Sequence, residues 1–120
     1  MDDVETLVIG WLNSGVLTGG YAAHGDKPKN APAKYVVVDR TGGPREAMVL
    51  DRASILIEVY NKTSRSDAKN IAYGLADRII ELEAYNDNIT HASINSVVNL
   101  DDTLAQYHRY QIYCDVSHRR

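Results

Sequence analysis

The chain has 120 residues, 44% of them hydrophobic, and a formal net charge of −3 with both signs interspersed. That is an ordinary single-domain size, and the composition argues against wholesale disorder. The chain lacks the basic field that holds nucleic acid non-specifically, it has no apolar run of roughly 18 residues to span a membrane, and its acidic start, Met1-Asp2-Asp3-Val4-Glu5, leads into a segment too short and too polar for a signal peptide. The single cysteine, Cys114, excludes an internal disulfide and fits assembly in a reducing cytoplasm.

The first predicted element is a helix. Asp2 or Asp3 caps it, Val4, Leu7, Val8 and Trp11 fall on one stripe, and Gly15 is its expected stop. Residues 15–33 contain Gly15, Gly19, Gly20, Gly25, Pro28 and Pro32 and few large apolar side chains. They read as a long, mobile loop, a length that is uncommon inside a compact domain and often functional.

Residues 34–40 and 47–60 are strand-like. In the second, Ile55, Ile57 and Val59 share one face, and Ser54, Glu58 and Tyr60 the other; Leu56 breaks the alternation, so part of the outer face is expected to be covered as well. Thr41-Gly42-Gly43-Pro44 joins the two as a hairpin loop, because glycine reaches positive φ at no steric cost and proline cannot donate to a ladder.

Thr63-Ser64-Arg65-Ser66-Asp67 is a helix-start cluster, and Ala68, Ile71, Ala72, Leu75, Ile79 and Leu82 follow at helical spacing over 66–83. Gly74 inside this helix suggests close approach by a neighbouring element. Asn86-Asp87-Asn88 ends it. A third strand has Ala92, Ile94, Ser96, Val98 and Leu100 on one face, and Leu100-Asp101-Asp102-Thr103 is a turn. The last strand puts His108, Tyr110, Ile112, Cys114 and Val116 on one face and Tyr107, Arg109, Gln111, Tyr113 and Asp115 on the other. The order α-β-β-α-β-β predicts a single α+β domain over 1–120: a mostly antiparallel four-stranded sheet with a long β-hairpin, covered by two helices.

The search for chemistry finds no catalytic, cofactor-binding or metal-ligating set. Gly42-Gly43 lacks the Lys-Ser/Thr and following helix of a phosphate loop. His24, His91, His108 and His118 form no metal-ligand spacing, and His108 reads as a core or interface histidine. Cys114 on the same face reads as a small buried hydrophobe. The Asp101/Asp102 and Glu81/Glu83 pairs read as solvated surface. Tyr107, Arg109 and Tyr113 on the outer face of the last strand have the chemistry of interface anchors.

Taken in order, Arg40-Thr41-Gly42-Gly43-Pro44-Arg45, Asp51-Arg52-Ala53-Ser54-Ile55, Ser64-Arg65-Ser66-Asp67-Ala68 and Arg109-Tyr110-Gln111-Ile112 resemble the motif sequence of the small tail terminator (neck, or tail-completion) proteins of long-tailed bacteriophages, especially those of actinobacteria. The likeness covers most of residues 34–118. It departs at Ala53, where many relatives carry proline, and it leaves 15–33 unmatched.

The resemblance implies a virion structural protein with no active site and no cofactor, assembled in the host bacterial cytoplasm and resident at the tail–head junction. Such proteins form a ring, usually a hexamer, that caps the tail tube, contacts the major tail tube protein and docks onto the head–tail stopper or other head-completion proteins. They bind no membrane and no specific nucleic acid, although the ring lumen passes DNA. Expected interface residues are Arg40, Arg45, Arg52 and Asp51 around the hairpin, with Tyr107, Arg109 and Tyr113 on the last strand. A head–tail stopper or adaptor is the nearest alternative. A small ligand-binding or enzymatic α+β domain is a more distant one and would show a deep pocket with convergent polar groups.

Overall fold

The computed structural model describes residues 3–42 and 50–119, the side chains of Leu50 and Asp51 excepted. Helix α1 (Val4–Trp11) is capped by Asp3, whose carboxylate accepts the Thr6 backbone N–H at 2.8 Å. It buries Val4, Leu7, Val8 and Trp11, the stripe read from the sequence. Leu12–Val16 continues as one wide turn closed by Leu17 N–H on the Leu12 carbonyl, and Gly15 at φ 114° ends the helix where a side chain would be strained.

The fold is α+β, but the sheet has five strands, not four. They are β1 (Ala23–His24), β2 (Lys34–Gly42), β3 (Leu50–Asn61), β4 (Ile89–Asn99) and β5 (His108–Arg119), in the order β1-β2-β3-β5-β4. β1 lies inside the 15–33 segment and pairs in parallel with Val36 and Val37; all other pairings are antiparallel. Its two residues are too few to show a period, which is why the sequence reads as loop there. The segment is tied down on both sides of β1. Tyr21 and Ala23 are buried, and the Asn13 side chain both accepts the Ala23 N–H and donates to the Ala23 carbonyl.

Helix α2 (Arg65–Arg78) starts at Ser64, whose hydroxyl accepts the Asp67 N–H. The helix predicted over 66–83 runs on through a tight 3₁₀ turn (Ile79–Glu81) into a short α3 (Leu82–Tyr85). Ala68, Ala72, Leu75, Ile79 and Leu82 are buried against the sheet, with Ile71 partly so. Together with α1 they meet Val36, Val38, Ile55, Ile57, Val59, Ile112, Cys114 and Val116 in one core. No heavy atom outside its own helix lies within 4 Å of where a Gly74 side chain would start, so this glycine serves no close approach.

β4 departs from simple alternation. Register shifts fall between Ile89 and His91 and between Ile94 and Ser96. The second is a bulge at Asn95 that reverses the faces. Ala92 and Ile94 point into the core, as expected, but beyond the bulge Val97 packs on the core while Val98 and Leu100 are exposed.

Candidate docking surface

The helices cover one face of the sheet. The residues predicted to form an interface divide between the faces and the edges of the other. β3 and β5 pair with Tyr60 opposite Arg109, Glu58 opposite Gln111 and Leu56 opposite Tyr113. Their side chains therefore form adjacent rows on the uncovered face. The Glu58 carboxylate is the hub. It accepts from Gln111 Nε2 at 3.1 Å and from the Tyr60 hydroxyl at 3.3 Å, and it lies 3.4 Å from Arg109 Nη1. Arg109 also donates through Nε to the Leu100 carbonyl at 2.8 Å, and its guanidinium lies over the Tyr60 ring. Tyr113 donates to Gln111 Oε1 at 3.2 Å.

This chain of contacts holds an ion pair whose side chains are only 21% and 15% exposed, so the charges are fixed before any partner arrives. Burial pushes the Tyr60 phenol up and works against the Arg109 cation, but Arg109 is still held above its ordinary range by Tyr60 and by the Glu58 charge.

Tyr107 has a different place from the one expected of an interface anchor. It is 6% exposed and packs edge-on against Tyr35 and Tyr60, which themselves stack at 4.5 Å and 7°. Its hydroxyl donates to the Pro32 carbonyl at 2.7 Å, so the 15–33 segment closes this end of the outer face. The covering inferred from Leu56 is thus real, but it sits over Tyr35, Val37, Tyr60 and Tyr107.

Arg40 stands opposite Ile55 in the ladder, and Ile55 faces the core, so the Arg40 side chain falls on the helix side; its backbone N–H, at the β2 edge, is taken by the Glu5 carboxylate at 2.9 Å. The Arg40 side chain therefore lies on the opposite side from Arg109. Arg52 is exposed on the outer face, eight residues along β3 from Tyr60, or roughly 26 Å away. Arg45, with Gly43 and Pro44 of the predicted turn, lies outside the described residues, as does the Asp51 side chain; the Asp51 backbone pairs with His118. The arms of the hairpin are antiparallel from Lys34↔Asn61 to Gly42↔Ser54.

Several groups read as solvated surface are structural. The Asp101 carboxylate accepts from Arg65 Nη2 at 2.6 Å, from Asn99 Nδ2 at 3.0 Å and from the Arg109 N–H at 3.2 Å. Burial works to raise its pKa, and these donors outweigh it, so the carboxyl is held below its usual value. Asp102 accepts the Ala105 N–H in the β4–β5 turn. Glu83 accepts the Ala92 N–H at 3.1 Å, whereas Glu81, hydrogen-bonded to Arg78, is exposed surface as expected. His108 is a third exposed and 3.8 Å from Asp101, at the border of the core rather than within it. Cys114 is buried as expected, with Sγ 3.6 Å from the Ile55 carbonyl, and burial first and Asp115 second push its thiol up to about 12.

A cleft of about 220 Å³ lies between Val16–Thr18 and the α2 residues Ile71, Gly74 and Leu75. The groups with the largest titration shifts, Tyr21, Tyr35 and Cys114, lie elsewhere. No helix among the described residues is long and apolar enough to cross a membrane.

The sequence places Glu58 and Tyr60 on the outer face but singles out neither as an interface residue. Each lies on the polar side of an alternating strand, and their roles depend on the β3–β5 register, which no local signal supplies. The chain matches no protein-family model and no curated protein sequence.

Proposed function

We propose that this chain is a bacteriophage virion structural protein, a tail terminator that assembles as a ring on the end of the tail tube and presents a surface to head-completion proteins. The carrying observation is the correspondence between motif order and element order. Arg40-Thr41-Gly42 ends β2, Arg52–Ile55 lies in the returning strand β3, Ser64 caps α2, and Arg109–Ile112 opens β5. The described parts of the motifs thus fall, in order, at the end of β2, within β3, at the start of α2 and in β5.

The outer face supports the same reading. A cyclic ring needs heterologous contacts, one patch meeting a different patch. The outer face offers a pre-set Arg109–Glu58 pair, Tyr113, Leu56 and, at the far end, Arg52. Complementary charges of this kind fix register and partner choice more than raw affinity. The test is addition of the purified protein to tail tubes lacking a terminator, followed by electron microscopy. Rings seated at tube ends support the proposal. Binding only to head-side connectors would make the protein a stopper or adaptor, and binding to neither would remove the neck reading.

A further inference from the structure

Both edges of the sheet are guarded in part by a helix carboxylate. At the β2 edge, β1 covers Val36 and Val37, and Glu5 takes the Arg40 N–H. At the β4 edge, Glu83 takes the Ala92 N–H. Among the described residues, no such cover lies over β4 beyond the Asn95 bulge. Ser96–Leu100 forms the outermost strand segment, with Val98 41% exposed, Leu100 51% exposed and Leu104 in the following turn 98% exposed. No Lys, Arg, Asp, Glu or Pro occurs between Ile89 and Leu100, so the usual devices that blunt an edge are missing from this stretch apart from the bulges.

The direction of the backbone groups follows from the ladder. Leu100 donates its N–H to the Arg109 carbonyl, so Val98, two residues earlier, also faces β5. Val97 and Asn99 therefore aim their N–H and C=O groups outward. We infer that this segment pairs antiparallel with the same segment of a second copy, about a two-fold axis at Val98. In that register Val97 of one copy and Asn99 of the other exchange both backbone hydrogen bonds, twice over by symmetry. Val98 then stands directly opposite Val98 of the second copy as a close, non-hydrogen-bonded pair.

The occupant is a second copy, not a neighbour's opposite edge, because the β2 edge is taken by β1 and Glu5. The match is self-complementary: outward groups meet outward groups, and the neutral segment brings no like charges together. The contact is isologous and closes at two copies. It therefore stands independently of the ring proposal, which uses other surfaces. Five residues a side make a small interface, so the dimer forms reversibly and depends on concentration.

The test is sedimentation velocity across a wide concentration series, with amide hydrogen exchange followed in parallel. The expected result is a monomer–dimer equilibrium in which the Val97 and Asn99 amides gain protection as dimer forms. Val98→Lys, at an exposed position, should keep the fold by circular dichroism and weaken the dimer by at least about tenfold, because two cations would stand face to face. A chain that stays monomeric throughout would overturn the inference. So would a dimer, or a larger ring, formed without new protection at Val97 and Asn99, or one that Val98→Lys leaves unchanged. Because the exchange readout uses the unaltered chain, a variant that failed to fold would not remove the test.

Discussion

Asn61 donates through Nδ2 to the Tyr21 hydroxyl at 2.8 Å, joining the end of β3 to the 15–33 segment forty residues earlier. The same amide donates to Asp67 Oδ2 at 3.1 Å, and its Oδ1 accepts from the Thr63 and Ser64 N–H groups at 2.9 and 2.8 Å. One fully buried side chain thus sets the turn out of β3, steadies the first turn of α2 and holds the glycine-rich segment. Asn61→Ala should leave the Thr63 and Ser64 N–H groups without this acceptor, while Tyr21 keeps its bond to Asp67, and should cost about 2–4 kcal/mol, since each orphaned group costs ~1–3 kcal/mol. Denaturant unfolding measures it. A loss under about 0.5 kcal/mol, the range of ordinary surface changes, would show that water replaces the network.

How far the sequence reveals this architecture depends on element length. β3 and β5 are twelve residues each and show their period plainly: Ile55, Ile57 and Val59, like Tyr110, Ile112, Cys114 and Val116, are buried as alternation requires. The α2 stripe is equally legible. β4 is not, because one extra residue at Asn95 reverses every face after it, and no residue type marks the bulge. Hubs such as Asn61 and Glu58 escape because their partners lie far away in sequence, at Tyr21 for one and Gln111 for the other. Tyr107 has the chemistry of an interface anchor, yet Pro32, 75 residues earlier, covers it.

Leu75 is buried at the centre of the α2 stripe. Leu75→Asp would place an unpaired carboxylate in that core and should unfold the chain or lower its stability by more than about 4 kcal/mol. A thermal melt matching the unaltered protein would contradict the packing of α2 on the sheet.

Gly74 points into open space within the same helix. Gly74→Ala should stabilise by up to about 1 kcal/mol, because glycine is the poorer helix former and no atom resists the added methyl. Chemical denaturation of the pair of proteins gives the sign directly; a destabilised alanine variant would mean that the position is crowded.

Cys114 keeps its proton far above neutrality because burial disfavours the thiolate, with the Asp115 charge adding to the effect. Iodoacetamide at mildly alkaline pH should therefore label it slowly in the native chain and readily after unfolding, as read by mass spectrometry. The sign for stability follows. An unfolded thiol ionises near 8.5, whereas the folded one, raised to about 12, does not, so the unfolded state binds fewer protons in that window. Stability should fall as pH rises above about 8.5, and the Tyr21 phenol, raised to about 12 mainly by burial, should add to the fall above 10. A flat stability profile through that range, or fast native labelling, would contradict the burial of this strand face.

The central claim is that this chain is the ring subunit at the tail–head junction. The most direct measurement is a reconstruction of the virion neck with the chain fitted by its sheet and its two covering helical segments. The account predicts a closed ring of copies between tube and head-completion proteins, with residues of the uncovered face, Arg52, Arg109 and Tyr113 among them, at contacts between copies or with the adjoining protein. A single copy at the junction, or none, would contradict it.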